Sequence, residues 1–193
     1  MPLILASASL IRRAMLDAAG VRFRAITPSV DEAAVKRQLS DPRHIAIELA
    51  KAKAIDVSAR ESGDWVIGSD SVVSVAGRLF DKPSSRDEAA EHLRFFSGKS
   101  MELTSAAALA MGQVVDWTHS EMATLEVRSL SEDFISSYLD QEWPAVGNCV
   151  GVFRMEGYGV HLFDRVVGDH FTILGMPLIP LLGALRDRGA IAG

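Results

Sequence analysis

Leu3-Ile4-Leu5-Ala6-Ser7-Ala8-Ser9-Leu10-Ile11-Arg12-Arg13 contains the change of period that decides the fold. Leu3 to Ala6 are consecutively apolar and read as a short buried strand. From Ser9 to Ala19, Leu10, Met15 and Leu16 fall near one helical stripe, and Gly20 supplies the stop. Val21 to Ile26 reads as a second strand, broken by Thr27-Pro28-Ser29. A β-loop-α-β opening of this kind predicts an α/β fold, and its first loop places two hydroxyls directly ahead of two arginines.

Outward from that stretch, Asp31, Glu32, Lys36 and Arg37 form a polar connection, and Asp41-Pro42 introduces a longer helix to about Arg60. Trp65-Val66-Ile67-Gly68 begins a buried strand reaching Ser69-Asp70, and Val72–Val75 with Arg78–Phe80 reads as a hairpin across Ala76-Gly77. Ser85 and Glu88 have the spacing of a capped helix start, followed by Ala89, Leu93 and Phe96 on one side. Met101–Met111 and Val114–Val127 are long strand candidates separated by Gly112-Gln113, which favours a mixed sheet over a purely parallel one. A helix is expected over Ser131–Leu139, glycine-rich loops with short strands over Asn148–Asp169, and one terminal helix over Leu174–Leu185.

The chain has 193 residues, enough for one substantial core, and no linker or repeat divides it, so residues 1–193 are expected to form a single domain. It carries 20 Lys and Arg against 25 Asp and Glu, a net charge of -5, which argues against nucleic acid as the main partner because duplex binding needs a broad basic face. A pocket for a small polyanion is compatible with that charge. The single cysteine, Cys149, excludes an intrachain disulfide and a thiolate zinc cluster, and a small buried hydrophobe is its expected role. The apolar run at Leu3–Ala6 is too short for a membrane span, and cytoplasm is the expected compartment.

Several residues could carry chemistry. A strand-to-helix loop with Ser7 and Ser9 offers backbone N–H groups and hydroxyls to an anion, and Arg12 or Arg13 can fork onto phosphate oxygens. Asp70, at the end of a buried strand, can coordinate a hard divalent cation, and Glu32 can share the metal or orient a water. Lys53 lies on the long helix, and Lys82 is held beside Pro83 as a compact charge for phosphate. Taken singly, each string also suits a helix cap, a turn or a solvated charge. There is no GxxxxGK[ST] loop and no HExxH, and the five histidines lack metal-site spacing. His170 reads as a surface residue.

In chain order, Leu5-Ala6-Ser7-Ala8-Ser9 with Arg12-Arg13, Asp31-Glu32, Leu49 to Ala54, Gly68 to Val73, Asp81-Lys82-Pro83, Leu93 to Gly98, Gly168 to Thr172, and Gly175-Met176-Pro177-Leu178 resemble the Maf family of nucleotide pyrophosphatases. The resemblance implies an α/β fold with a mixed twisted sheet, flanking helices and two lobes around a deep cleft, similar to inosine triphosphatases. It further implies a homodimer and hydrolysis of a nucleoside triphosphate to monophosphate and pyrophosphate with Mg²⁺ or Mn²⁺. Carried over, Ser7 and Ser9 line a phosphate loop, Arg12 or Arg13 binds phosphate with Arg13 favoured, Glu32 and Asp70 handle metal and water, and Lys53 and Lys82 neutralise the triphosphate. Arg154-Met155-Glu156-Gly157 is similar to the subgroup associated with 7-methyl-GTP, where a carboxylate suits the guanine edge and the charge created by N7 methylation. Inosine or xanthosine triphosphate, dTTP or UTP remain alternative substrates, and a nucleotide-binding regulator of cell division remains an alternative role. Leu10 stands where the family usually has proline, Ser71 where it has threonine, and Asp81 where it has glycine.

Overall fold

A computed structural model describes residues 3–192. The elements run β1 Leu3–Ala6, α1 Leu10–Ala18, β2 Arg24–Ile26, α2 Glu32–Gln38, α3 Pro42–Ser58, β3 Trp65–Val75, β4 Arg78–Phe80, α4 Arg86–Phe96, β5 Ser100–Met111, β6 Val114–Val127, α5 Glu132–Glu142, β7 Phe163–Val167, α6 His170–Leu174 and α7 Leu178–Asp187. The strands hydrogen-bond in the order β2-β1-β3-β5-β6-β7, with β4 also on β3. β1 pairs in parallel with β2 and β3, while β3–β4 and β6–β7 are antiparallel. The expected mixed α/β sheet with flanking helices is therefore what the chain forms.

The chain divides into two compact units: one holds the chain through Ser71, Thr104–Glu121 and the chain from Asp169 on, and the other holds Val72–Leu103 and Met122–Gly168. In the first unit Leu3, Leu5 and Ile67 form a core with Met15 and Leu16 of α1 and Leu178, Leu181 and Leu185 of α7. Side chains alternate between the faces of a strand, so Gly68 points away from that core. It meets α3: a β-carbon on Gly68 would stand 2.0 Å from the Ala50 carbonyl oxygen. Helices thus cover both faces of the parallel strands, which explains why β1 and Trp65-Val66-Ile67 of β3 are apolar without alternation.

In the second unit α4 and α5 are joined by ion pairs, Arg86 to Asp140 at 2.6 Å and Arg94 to Glu132 at 2.8 Å. Phe80 at the end of β4 sits edge-on to His92 and Phe96 of α4. Burial pushes the His92 imidazole below its ordinary pKa, with Glu88 acting the other way, and its Nδ1 is buried without a partner. Tyr138 of α5 is fully buried and donates to the Val152 carbonyl at 2.8 Å.

Four expectations need correction. The polar connection after Asp31 is the helix α2, capped by Asp31, which accepts from the Ala34 N–H at 3.0 Å. Of the strand expected over Val21–Ile26 only Arg24–Ile26 pairs, because Val21 is used as a core side chain. The interruption expected after Asp70 is absent, and β3 runs unbroken to Val75. The terminal helix is two helices, since Gly175 takes a left-handed φ of 109° at the end of α6 and Pro177 precedes α7. The hairpin turn expected at Ala76-Gly77 formed, with positive φ at both residues, and Gly112 and Gln113 between β5 and β6 also take positive φ. Among the described residues no helix is long and apolar enough to cross a membrane.

Candidate active site

The first unit holds Ser7, Ser9, Arg12 and Arg13 around the loop after β1, and Glu32, Lys53 and Asp70 in a second cluster whose acids act on the Arg12 charge. The loop after β1 organises itself: the Ser9 N–H donates to Ser7 Oγ at 3.1 Å, and the Arg12 N–H donates to Ser9 Oγ at 3.4 Å. Each serine oxygen accepts one backbone proton here, which leaves its own O–H proton to donate elsewhere.

The two arginines of α1 are employed differently. Arg12 Nε donates to the Gly175 carbonyl at 2.9 Å and its NH2 donates to Ser71 Oγ at 3.0 Å. The Gly175 carbonyl also accepts from Ser69 Oγ at 3.2 Å and Ser71 Oγ at 3.1 Å, so three donors converge on the backbone oxygen that ends α6. Burial pushes the Arg12 guanidinium down from its ordinary pKa, and Asp70 and Glu32 act the other way. Arg13 makes one long bond, NH2 to the Ser7 carbonyl at 3.4 Å, and its Nε is buried without a partner. A buried guanidinium N–H without an acceptor costs free energy, on the order of 1–3 kcal/mol, until an acceptor arrives.

Lys53 of α3 stands between two acids. Its Nζ is 2.5 Å from Asp70 Oδ1 and 2.7 Å from Glu32 Oε1. The side chains of Lys53 and Asp70 are 10% and 9% exposed, whereas that of Glu32 is 46% exposed. Glycine at position 68 makes this possible, because α3 can then lie against β3 and Lys53, between the two helical positions Ala50 and Ala54 that touch Gly68, reaches Asp70. Two carboxylates converging on one positive group are also a hard-oxygen donor set of the kind Mg²⁺ and Mn²⁺ accept, those ions completing their shells with water and phosphate. The residues present fit such a cation, with Glu32 and Asp70 as the groups that would hold it. No cluster of three or more His, Cys, Asp or Glu suited to a metal exists among the described residues.

Lys82, Arg154 and Glu156 lie in the second unit. Arg154 reaches Glu156 Oε1 through Nε and Glu142 Oε2 through NH1, each at 3.3 Å. Glu142, at the end of α5, was not legible as a site residue in the sequence; it is buried and also accepts the Tyr158 N–H at 2.8 Å. Tyr158 packs its ring 4.3 Å from that of His161. Cys149 is half-buried beside this group, and burial, then Glu156, push its thiol up to about 11, with Arg154 and Lys82 pulling down and Glu142 pushing up. At pH 8 roughly one such thiol in a thousand is ionised. Cys149→Ser is therefore expected to retain turnover, and iodoacetamide at pH 8 should alkylate Cys149 far more slowly than a free small-molecule thiol; rapid alkylation would contradict its inert role.

His170 is exposed, as expected. Ser71 keeps the hydroxyl of the threonine it replaces and uses it on Arg12, Ser105 and Gly175. The Gly175 carbonyl and Ser105 were missed as site-supporting groups, the first because a backbone oxygen leaves no mark in a sequence. Ser105 could have been suspected from the buried hydroxyl pair Thr104-Ser105 ahead of Ala106-Ala107-Ala108 on an otherwise apolar stretch.

A family model described as Maf-like protein matches residues 2–188. A protein of Nitrobacter hamburgensis named nucleoside triphosphate pyrophosphatase is 45% identical over 193 residues, covering 99% of this chain and 96% of that protein. A protein of Rhizobium meliloti named 7-methyl-GTP pyrophosphatase is 45% identical, covering 98% of this chain and 97% of its own. Among solved structures, a dITP/XTP pyrophosphatase from Mycobacterium abscessus matches 98% of this chain and 96% of its own at 15% identity with a TM-score of 0.42, a likeness too loose to assign anything.

Proposed function

The chain belongs to the Maf-like protein family, and from that membership we propose that it hydrolyses a nucleoside triphosphate between the α and β phosphates, releasing pyrophosphate, with 7-methyl-GTP as preferred substrate. The observation that carries the reading is the pairing of an unpartnered Arg13 Nε beside the Ser7–Ser9 loop with two carboxylates that converge on Lys53 in the same unit. The names of the relatives support pyrophosphate release, and one of those names supports the methylated base.

Each residue's role follows from its surroundings. Arg13 takes a phosphate oxygen, because an acceptor removes the cost of its orphaned Nε, whereas Arg12 is engaged with Gly175 and Ser71 and braces the loop. Ser7 and Ser9 contribute their O–H protons. Lys53 neutralises the triphosphate, which gains charge on the pyrophosphate leaving group as the reaction proceeds, and Lys82 is given the same role by its Asp81-Lys82-Pro83 motif alone. Asp70, closed in beside Lys53, is placed to hold a divalent cation together with Glu32. A bound Mg²⁺ or Mn²⁺ would supply positive charge to the phosphate oxygens. Glu32, open to solvent, takes the proton from the attacking water; the new bond joins that oxygen to the α phosphorus, and the bond to the bridging oxygen breaks with its electron pair leaving on pyrophosphate.

For the base, Arg154 is set against two carboxylates, Glu142 and Glu156, which leaves that cluster with one excess negative charge by count. Such an acidic cluster favours a cationic, hydrogen-bond-donating purine face, and N7 methylation of guanine provides one. The test is a panel of 7-methyl-GTP, GTP, ITP, XTP, dTTP and UTP, each with Mg²⁺ and with Mn²⁺, read separately for pyrophosphate and orthophosphate. Pyrophosphate from 7-methyl-GTP at the highest kcat/KM is expected, and Lys82→Ala should remove most of that rate while leaving the melting midpoint in place. Orthophosphate as the product would refute the bond assignment, and higher kcat/KM on ITP or UTP would refute the base.

A further inference from the structure

Among the residues given no individual role above, the most unusual is Glu142: a carboxylate that is 7% exposed at the end of a helix. Burying an acid is costly unless its lone pairs are satisfied, and here both oxygens are used on the segment from Arg154 to Tyr158. Oε1 accepts the backbone N–H of Tyr158 at 2.8 Å, and Oε2 accepts from Arg154 NH1 at 3.3 Å. The segment is shaped to the carboxylate. A β-carbon at Gly157 would lie 2.8 Å from Glu142 Oε1, and one at Gly159 would lie 2.5 Å from the Arg154 carbonyl oxygen, so the chain closes round both residues only with glycine there.

We infer that Glu142 is a positioning residue for base recognition: by holding Arg154 and the Tyr158 backbone from inside α5, it fixes the guanidinium and the neighbouring Glu156 as one rigid edge that reads the nucleobase. The inference rests on the base-reading role given to Arg154 and Glu156 under the proposed function. Its physical content is an asymmetry between the two acids on Arg154. Glu142 is buried and satisfied by the protein, and therefore sets geometry. Glu156 is exposed and has an oxygen beyond the one on Arg154, and therefore meets the base. Because the charge of Glu142 acts on Arg154 while its other oxygen serves the Tyr158 N–H, removing that charge alone should act through KM and through discrimination between bases.

The experiment is a double-mutant cycle of Glu142→Gln, Arg154→Met and the double variant, with kcat and KM measured on 7-methyl-GTP and GTP and melting midpoints recorded for each. Glutamine keeps the volume and an acceptor for the Tyr158 N–H but loses the charge on Arg154. The expected result is a KM for 7-methyl-GTP raised roughly tenfold in Glu142→Gln with kcat held within about twofold, and a double variant no worse than Arg154→Met alone. Additive effects, or a loss confined to kcat, would overturn the inference. Should Glu142→Gln fail to fold, Glu142→Asp, which retains the charge and shortens the reach, is measured in its place; an unchanged KM in that variant also overturns it. If the wild type prefers another triphosphate, the base assignment fails and the cycle is read on that preferred substrate, so the two failures are distinguished.

Discussion

Asp70→Asn is expected to lower kcat by roughly 10²- to 10⁴-fold, the span associated with losing a positioned acid–base or charge-stabilising group. The substitution keeps the shape of the side chain and changes only what it offers the Lys53 ammonium and the divalent cation it is proposed to hold. In place of a carboxylate 2.5 Å from the Lys53 ammonium it presents an amide, and one orientation of that amide points a donor at another donor. A divalent cation would also lose one of the two carboxylates the protein provides. Removing one partner of a buried ion pair commonly costs about 3–5 kcal/mol because the other charge is stranded. Lys53 is not stranded here, since Glu32 stays 2.7 Å away and is open to water, so the fold should survive. The checks are pyrophosphate release, the Mn²⁺ concentration for half-maximal rate, and a melting curve. A folded variant within threefold of the wild-type rate at ordinary Mg²⁺ would remove Asp70 from the reaction.

The parts of the molecule that the sequence disclosed are those in which burial follows a period. β1, α1 and the buried start of β3 each carry an apolar pattern that only one secondary structure satisfies, and their placement follows from it. α2 escaped because Glu32–Gln38 buries no residue; its start is marked by the Asp31 cap, which a count of apolar positions ignores. The opposite failure produced a single terminal helix. Apolar residues run through Gly175-Met176-Pro177 without interruption, but the left-handed turn at Gly175 decides the local backbone more strongly than the pattern does.

The site shows the same division. Ser7, Arg13, Lys53 and Asp70 could be singled out because their chemistry belongs with phosphate and metal, yet their spacing in the chain did not say which of them would meet. Lys53 and Asp70 come together through a close helix–strand approach, and Glu142 finds its partners 12 and 16 residues further on through a loop whose path depends on two glycines. In both cases a glycine that admits one backbone to another decides the contact.

Gly68→Ala provides the sharpest test of that dependence. The added β-carbon would stand 2.0 Å from the Ala50 carbonyl oxygen, 2.7 Å from the Ala54 backbone nitrogen and 3.0 Å from the Ala54 β-carbon. The first two are backbone atoms in the middle of a 17-residue helix, so no rotamer change relieves the collision and α3 must move away from β3. Overpacking of a tight core contact costs about 1–3 kcal/mol, and for a chain of this length a penalty near 2 kcal/mol lowers the melting midpoint by roughly 4–8 °C. The larger effect falls on turnover. Lys53 lies between Ala50 and Ala54 on the helix that must shift, and its 2.5 Å contact with Asp70 does not survive an outward displacement of about 1 Å, a misplacement that can cost on the order of 10² in rate. The expected variant is folded at 25 °C, melts several degrees early, and releases pyrophosphate roughly 100-fold more slowly. Gly63→Ala supplies the control, since a β-carbon there meets nothing within 4 Å. If Gly68→Ala melts early but turns over at the wild-type rate, the seating of α3 on β3 stabilises the fold without setting the Lys53–Asp70 geometry, and the link from that glycine to catalysis is wrong.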